Sequence, residues 1–300
     1  GRSQLISQGE IKGKLNEITI IHSQGKLPAD RVAVAGLGKQ PELTQDKVRG
    51  AVAETCRQLR QKGVDSVATA AQGAGIAGIS LETAVQAVTE GVLLGTYTFR
   101  RHITKVAEHG EMKQFLIVTS HKTELSSLEK GCYKGRILAE ATNLARDMVN
   151  EPANYMTPGH MADTATKLAE THGLEISVLE REQMQELGMG ALLGVTQGSR
   201  QPPKFIILRY QGSHSAEIDM ALVGKGITFD AGGISIKPSE KMEEMKGDMA
   251  GGAAVIAAMG ALAQLKPKIN AMAAIPCAEN LPDSKAIKPG DILAAINGKT

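Results

Sequence analysis

Four side chains in one short stretch are of types that could do chemistry together: Lys225, Asp230, Lys237 and Asp248. The stretch reads Val-Gly-Lys-Gly-Ile-Thr-Phe-Asp-Ala-Gly-Gly-Ile-Ser-Ile-Lys-Pro from Val223 to Pro238. It continues through Met242 to Met-Lys-Gly-Asp-Met at 245–249. Carboxylate oxygens suit hard or borderline divalent cations. A lysine amine joins them only when deprotonated, a form that a bound metal favours. Each residue also has a plain structural reading. Asp248 stands where an N-cap belongs before an apolar helix, Asp230 beside Gly232-Gly233 suits a turn, and the lysines could be solvated. Chemistry alone leaves a metal or anion site level with those readings.

The elements needed to gather these residues are legible. An apolar strand over 218–223 runs into the glycine-rich loop. A helix over 249–265 follows, then a strand over 269–276. This is a crossover unit, expected to be right-handed, and it puts the loop at the carboxyl edge of a parallel sheet. Strands are also expected at 175–179 and 204–210, with a helix at 181–187 between them. Thr157 before Pro158 marks a helix start: a capping hydroxyl, then a proline whose missing N–H does no harm. Earlier, strands at 17–22, 31–36, 64–70 and 115–119 alternate with helices, one striped by Val48, Val52, Cys56 and Leu59, another capped by Ser80. The expectation is an α/β fold in three parts. These are an N-terminal α/β domain over 1–129, a connecting helix over 130–150 that stops at Asn150-Glu151-Pro152, and a catalytic domain over 151–300 with a mixed, largely parallel central sheet. Asp291 to Ile296 reads as a strand and Asn297-Gly298 as a hairpin turn. With Thr300 next in view, the last domain is expected to be incomplete.

Composition removes several function classes. A formal net charge of +2 with no basic stripe argues against nucleic acid. No apolar run approaches the roughly 20 residues of a membrane span, and no signal-peptide pattern appears. Cys56, Cys132 and Cys277 lack metal spacing and suggest buried free thiols in a reducing, cytoplasmic protein. With no Trp, four Tyr and four Phe, the core must be aliphatic. Gly73-Ala-Gly-Ile-Ala-Gly78 matches the dinucleotide fingerprint in form, but the acidic residue expected about 20 positions on is missing. Gly226 stands where a Walker loop needs Ser or Thr after its lysine. His22, His102, His109, His121, His160, His172 and His214 are scattered and form no metal-binding helix motif.

The stretch from Val223 to Pro238, followed by Met-Lys-x-Asp-Met, resembles the leucyl aminopeptidase family of two-metal exopeptidases. Leu144 to Pro152, Asn154 with Thr157-Pro158, Ala278-Glu279-Asn280 and Lys288-Pro-Gly-Asp291 are similar to other segments of its catalytic half. The likeness is strong over 140–300 and diffuse before that. It implies Lys225, Asp230 and Asp248 as metal ligands, with Asp230 bridging two divalent ions, zinc or manganese. It also implies Lys237 as a charged catalytic lysine that polarises the substrate carbonyl, and Met245 in the pocket for the first side chain. The implied activity is release of N-terminal residues, leucine and other apolar ones preferred, from peptides, by a cytoplasmic homo-hexamer. Two-metal sites of this kind polarise the carbonyl and activate water. The family's remaining carboxylates and an arginine fall beyond Thr300, so the chain by itself is expected to be inactive. The alternative is a non-catalytic DNA-binding or regulatory relative of the same fold.

Overall fold

A computed structural model describes residues 2–105 and 110–300. The chain divides into two compact units, Gly1–Glu140 and Ala141–Thr300. His109 lies outside the described residues.

In the first unit, helix α1 (Arg2–Ser7) precedes an antiparallel pair, β1 (Ile18–His22) and β2 (Arg31–Ala35). Helix α2 (Gln45–Gln61), strand β3 (Ser66–Thr69), helix α3 (Leu81–Gly95) and strand β4 (Gln114–Ile117) follow, with β3 and β4 parallel. Thr44 and Ser80 cap the two helices, their hydroxyls accepting from the N–H groups of Lys47 and Thr83. α2 and α3 approach closely because α3 offers glycine. A Cβ at Gly95 would stand 2.6 Å from the Ala53 Cα. Val48, Val52, Cys56, Ala87, Val88 and Val92 fill the core between them, and Arg49 Nε donates to the buried Glu90 at 2.5 Å. The segment Gly73–Gly78 is a loop. Gly73, Gly75 and Gly78 all have positive φ, and a Cβ at Gly73 would strike Val48 at 2.8 Å. The following helix N-terminus is already capped by Ser80.

Helix α4 (Leu125–Asn150) begins five residues ahead of the expected Lys130, straight after a 3-10 turn over Lys122–Glu124, and the division between the units falls within it. The second unit continues with α5 (Pro158–His172), β5 (Glu175–Leu179), α6 (Arg181–Glu186) and α7 (Gly190–Val195). After these come β6 (Lys204–Gln211), β7 (Met220–Val223), β8 (Gly226–Asp230), α8 (Ala250–Leu265) and β9 (Asn270–Asn280). Thr157 caps α5 with Pro158 in its first turn, and Gly173 ends it at φ +72°. The sheet runs β5-β6-β9-β7, with β8 also against β9. β5/β6 and β6/β9 are antiparallel; β7 and β8 are parallel to β9. Among the described residues the sheet is therefore mixed and largely parallel, as expected: β5, β7, β8 and β9 run one way and β6 the other.

Its core is built on methionine: Met148, Met161, Met249 and Met259 are buried with Ile206, Leu208, Ile256 and Ile275. Residues 242–265 are long and apolar enough by composition to cross a membrane, so the apolar length is greater than the sequence reading allowed. Half of that window is buried inside the unit, and α8 spends its apolar surface as core. The expected strand at 291–296 does not form. The turn does: Gly298 N–H donates to the Ala295 carbonyl. The segment before it packs instead on α7, where the Ala191 N–H donates to the Ala294 carbonyl at 3.1 Å and a Cβ at Gly194 would meet the Leu293 side chain at 2.6 Å.

Candidate metal centre

The glycine-rich loop expected after Val223 begins as a two-residue break, Gly224-Lys225, between two strands. β7 pairs with Ala271–Ala274 of β9, and β8 pairs with Cys277–Asn280 farther along the same strand. The break is where the start of α8 docks. The Gly252 N–H donates to the Lys225 carbonyl at 2.7 Å. A Cβ at Gly224 would lie 2.5 Å from the Gly251 carbonyl oxygen, so only glycine allows that approach. Lys225, pinned through its carbonyl, sends its side chain to Asp248, with Nζ 2.6 Å from Oδ2.

Asp248 does not cap α8. That helix starts at Ala250 with Met249 at its N-cap, and Asp248 closes the 3-10 turn Met242–Gly247 in a right-handed conformation. Its Oδ2 has less than 1 Å² of exposure and receives no hydrogen bond. The Lys225 ammonium is close enough for charge attraction, but outside hydrogen-bonding angles. That ammonium meets the charge of the oxygen and leaves it room for a further partner.

Asp230 ends β8. Oδ2 accepts from Lys237 Nζ at 2.8 Å. Oδ1 accepts from the Gly232 N–H at 3.0 Å and from Asn280 Nδ2 at 2.8 Å. Burial alone would push its carboxyl up, but the hydrogen bonds from Lys237, Asn280 and Gly232 outweigh it and hold the group below the ordinary carboxylate range. The loop to Lys237 closes through its N–H, which donates to the Ala231 carbonyl at 2.9 Å. Gly232 sits at φ +89°, and a Cβ there would meet the Ser235 carbonyl at 2.5 Å. Lys237 Nζ also lies 3.2 Å from Met245 Sδ. Two contact groups result: Asp230, Lys237 and Met245 in one, Lys225 and Asp248 in the other. A cavity of about 320 Å³ adjoins the first, lined among others by Gly232, Gly233, Asn280 and Ile287.

Asn280 also belongs to the site, through its bond to Asp230. The available signal was a polar residue at the end of a long apolar strand, opposite the end of another. The remaining described histidines do not join the site; His160 Nδ1, for one, pairs with the Thr157 hydroxyl at 2.9 Å. Cys56 and Cys277 are buried, whereas Cys132 is only partly so, which narrows the expectation of three buried thiols. Among the described residues no cluster of three or more His, Cys, Asp or Glu forms. The donors on offer are two carboxylates and an amine. They fit a divalent cation by type, and the buried Asp248 Oδ2, which accepts no hydrogen bond and faces only the Lys225 amine, has room for one.

Fold and donor set together define a class: a two-unit α/β protein with a lysine–aspartate candidate metal centre at the edge of the second unit's sheet. Sequence comparison narrows the class. The cytosol aminopeptidase family's N-terminal domain matches residues 2–105 and its catalytic domain matches residues 143–300. The chain belongs to the cytosol aminopeptidase family. It is 44% identical over 299 residues to a probable cytosol aminopeptidase of Alkaliphilus oremlandii (strain OhILAs), covering 99% of this chain and 60% of that protein. It is 45% identical over 301 residues to one of Solibacter usitatus (strain Ellin6076), covering 100% and 61%. The chain thus spans about 60% of the length of these relatives. Among solved structures, the bottromycin maturation enzyme BotP in complex with Mn matches with a TM-score of 0.85 at 32% identity, over 99% of this chain and 60% of that one.

Proposed function

We propose that the whole protein is a metal-dependent aminopeptidase that removes N-terminal residues, leucine and other apolar ones preferred, from peptides. The observation that carries this reading is the Lys225–Asp248 contact with its unbonded carboxylate oxygen, in a chain of this family. Lys225, Asp230 and Asp248 would hold metal, with two ions in all, zinc or manganese; the manganese bound by BotP favours the latter. When bound, such ions supply Lewis-acid polarisation of a carbonyl and a nucleophile at neutral pH, as in two-metal aminopeptidases generally.

The chain's own residues set the rest. Lys237 presents an ammonium held between Asp230 and Met245, placed to donate to a carbonyl oxygen as negative charge grows on it. Met245, half-buried at that ammonium, offers the polarizable apolar wall that an aliphatic first side chain would meet. The closed loop from Ala231 to Lys237 keeps Lys237 from swinging away. The same reading includes a cytoplasmic homo-hexamer as the working form, which the family resemblance supports. The deciding experiment is Asp230→Ala in the full-length protein, assayed for bound metal and for hydrolysis of a leucyl peptide. Both are expected to be lost; full metal occupancy in that variant would overturn the assigned role.

A further inference from the structure

Asp230 has two oxygens, and the chain treats them differently. Oδ1 accepts from the Gly232 N–H and from Asn280 Nδ2, which together use both of its lone pairs. Oδ2 accepts from Lys237 alone and keeps one free. Asn280 is fixed from two sides. It stands opposite Asp230 in the β8/β9 register, and its carbonyl accepts from the Ala231 N–H at 2.9 Å. Gly233 leaves room for its amide, since a Cβ there would come within 3.0 Å of Asn280 Oδ1.

We infer that Asn280 is a positioning residue: its amide holds Oδ1 of Asp230 away from the metal site, so that Asp230 offers a cation only Oδ2. Without the amide, Oδ1 keeps only the Gly232 N–H and has a lone pair open to the cation, so the two oxygens are no longer distinguished. The strand pairing does not depend on that amide, because the Ala231–Asn280 bond is made by backbone. The inference rests on the metal-site reading above, and outer partners of metal-binding carboxylates typically contribute about 10–100-fold to metal affinity.

The test is manganese titration of the metal-free full-length protein, followed by calorimetry and by the spin resonance of free Mn²⁺. Asn280→Ala and the similar-sized, donor-free Asn280→Leu are compared with wild type and with Asp230→Ala. Binding about 10–100-fold weaker in the Asn280 variants, with an unchanged metal-free thermal melt, is the expected result. Wild-type affinity in folded Asn280 variants, while Asp230→Ala loses binding, overturns the positioning role but leaves the metal site standing. Undiminished binding by Asp230→Ala overturns the metal site and this inference with it. If both Asn280 variants fail to fold, the residue is structural and the inference is likewise overturned.

Discussion

At the scale of single residues, the second unit hides an acid that no site uses. Cys277 is fully buried, its thiol packed under β8, and burial pushes it up to about 12. Cys56 in the first unit is raised to about 12 for the same reason. A thiol that ionises near its ordinary value when unfolded, but only near 12 when folded, leaves stability untouched below about pH 9 and removes it progressively above. Chemical denaturation of the protein between pH 8 and 11 should show that fall. Cys277→Ala should make the slope shallower, even though it lowers stability at pH 8 by emptying part of the site. An unchanged slope would show that the buried thiol is not the group responsible. Legibility at this scale was uneven. Lys225, Asp230, Lys237 and Asp248 stood out by residue type and spacing, but Asp248 looked like a cap. Its actual place, one step before the helix at the end of a 3-10 turn, depends on Met249 being drawn into the core, which no local pattern announces.

At the scale of elements, the break between β7 and β8 is the least sequence-legible feature and the one on which the site hangs. Gly224, Gly226, Gly232 and Gly233 suggest a loop, since glycine is depleted from strands. The structure shows why Gly226 is nonetheless a strand residue: a Cβ there would lie 2.7 Å from the Pro276 carbonyl and 2.8 Å from Cys277 Sγ. Close approach of backbone, rather than a turn, selects the glycine. The other strands of this unit were readable because they are apolar runs bounded by breakers, and α5 because Thr157-Pro158 is a strong local start. Gly224→Ala tests the break directly. Its new methyl would meet the Gly251 backbone at 2.5 Å, so relief requires moving the start of α8. A loss of about 1–3 kcal/mol is expected in urea denaturation, accompanied by weaker metal binding as Lys225 shifts. A variant as stable as wild type would mean that the two backbones separate freely.

At the scale of the whole molecule, the two-unit α/β organisation could be anticipated from alternating patterns, whereas the sheet pairings could not. Direction and neighbourhood of strands are decided by long-range contacts such as β6 against β9, which leave little trace in a single sequence. Composition did foretell an aliphatic core, with few aromatics available; that α8 and its neighbours would fill so much of it with methionine was not foretold. That choice has a chemical cost beyond packing. Met148, Met161, Met184, Met249 and Met259 are all at 2% exposure or less, so the fold itself shields five thioethers from oxidants. Once unfolded they lose that shield, and a sulfoxide is too polar to return to the same place. Peroxide should leave the native protein able to refold after a denaturant cycle, whereas the same treatment in denaturant should abolish recovery until methionine sulfoxide reductases are supplied. Equal recovery from both treatments would contradict this. The methionine core makes a passing excursion to the unfolded state, in the presence of oxidant, an injury that the chain cannot repair alone.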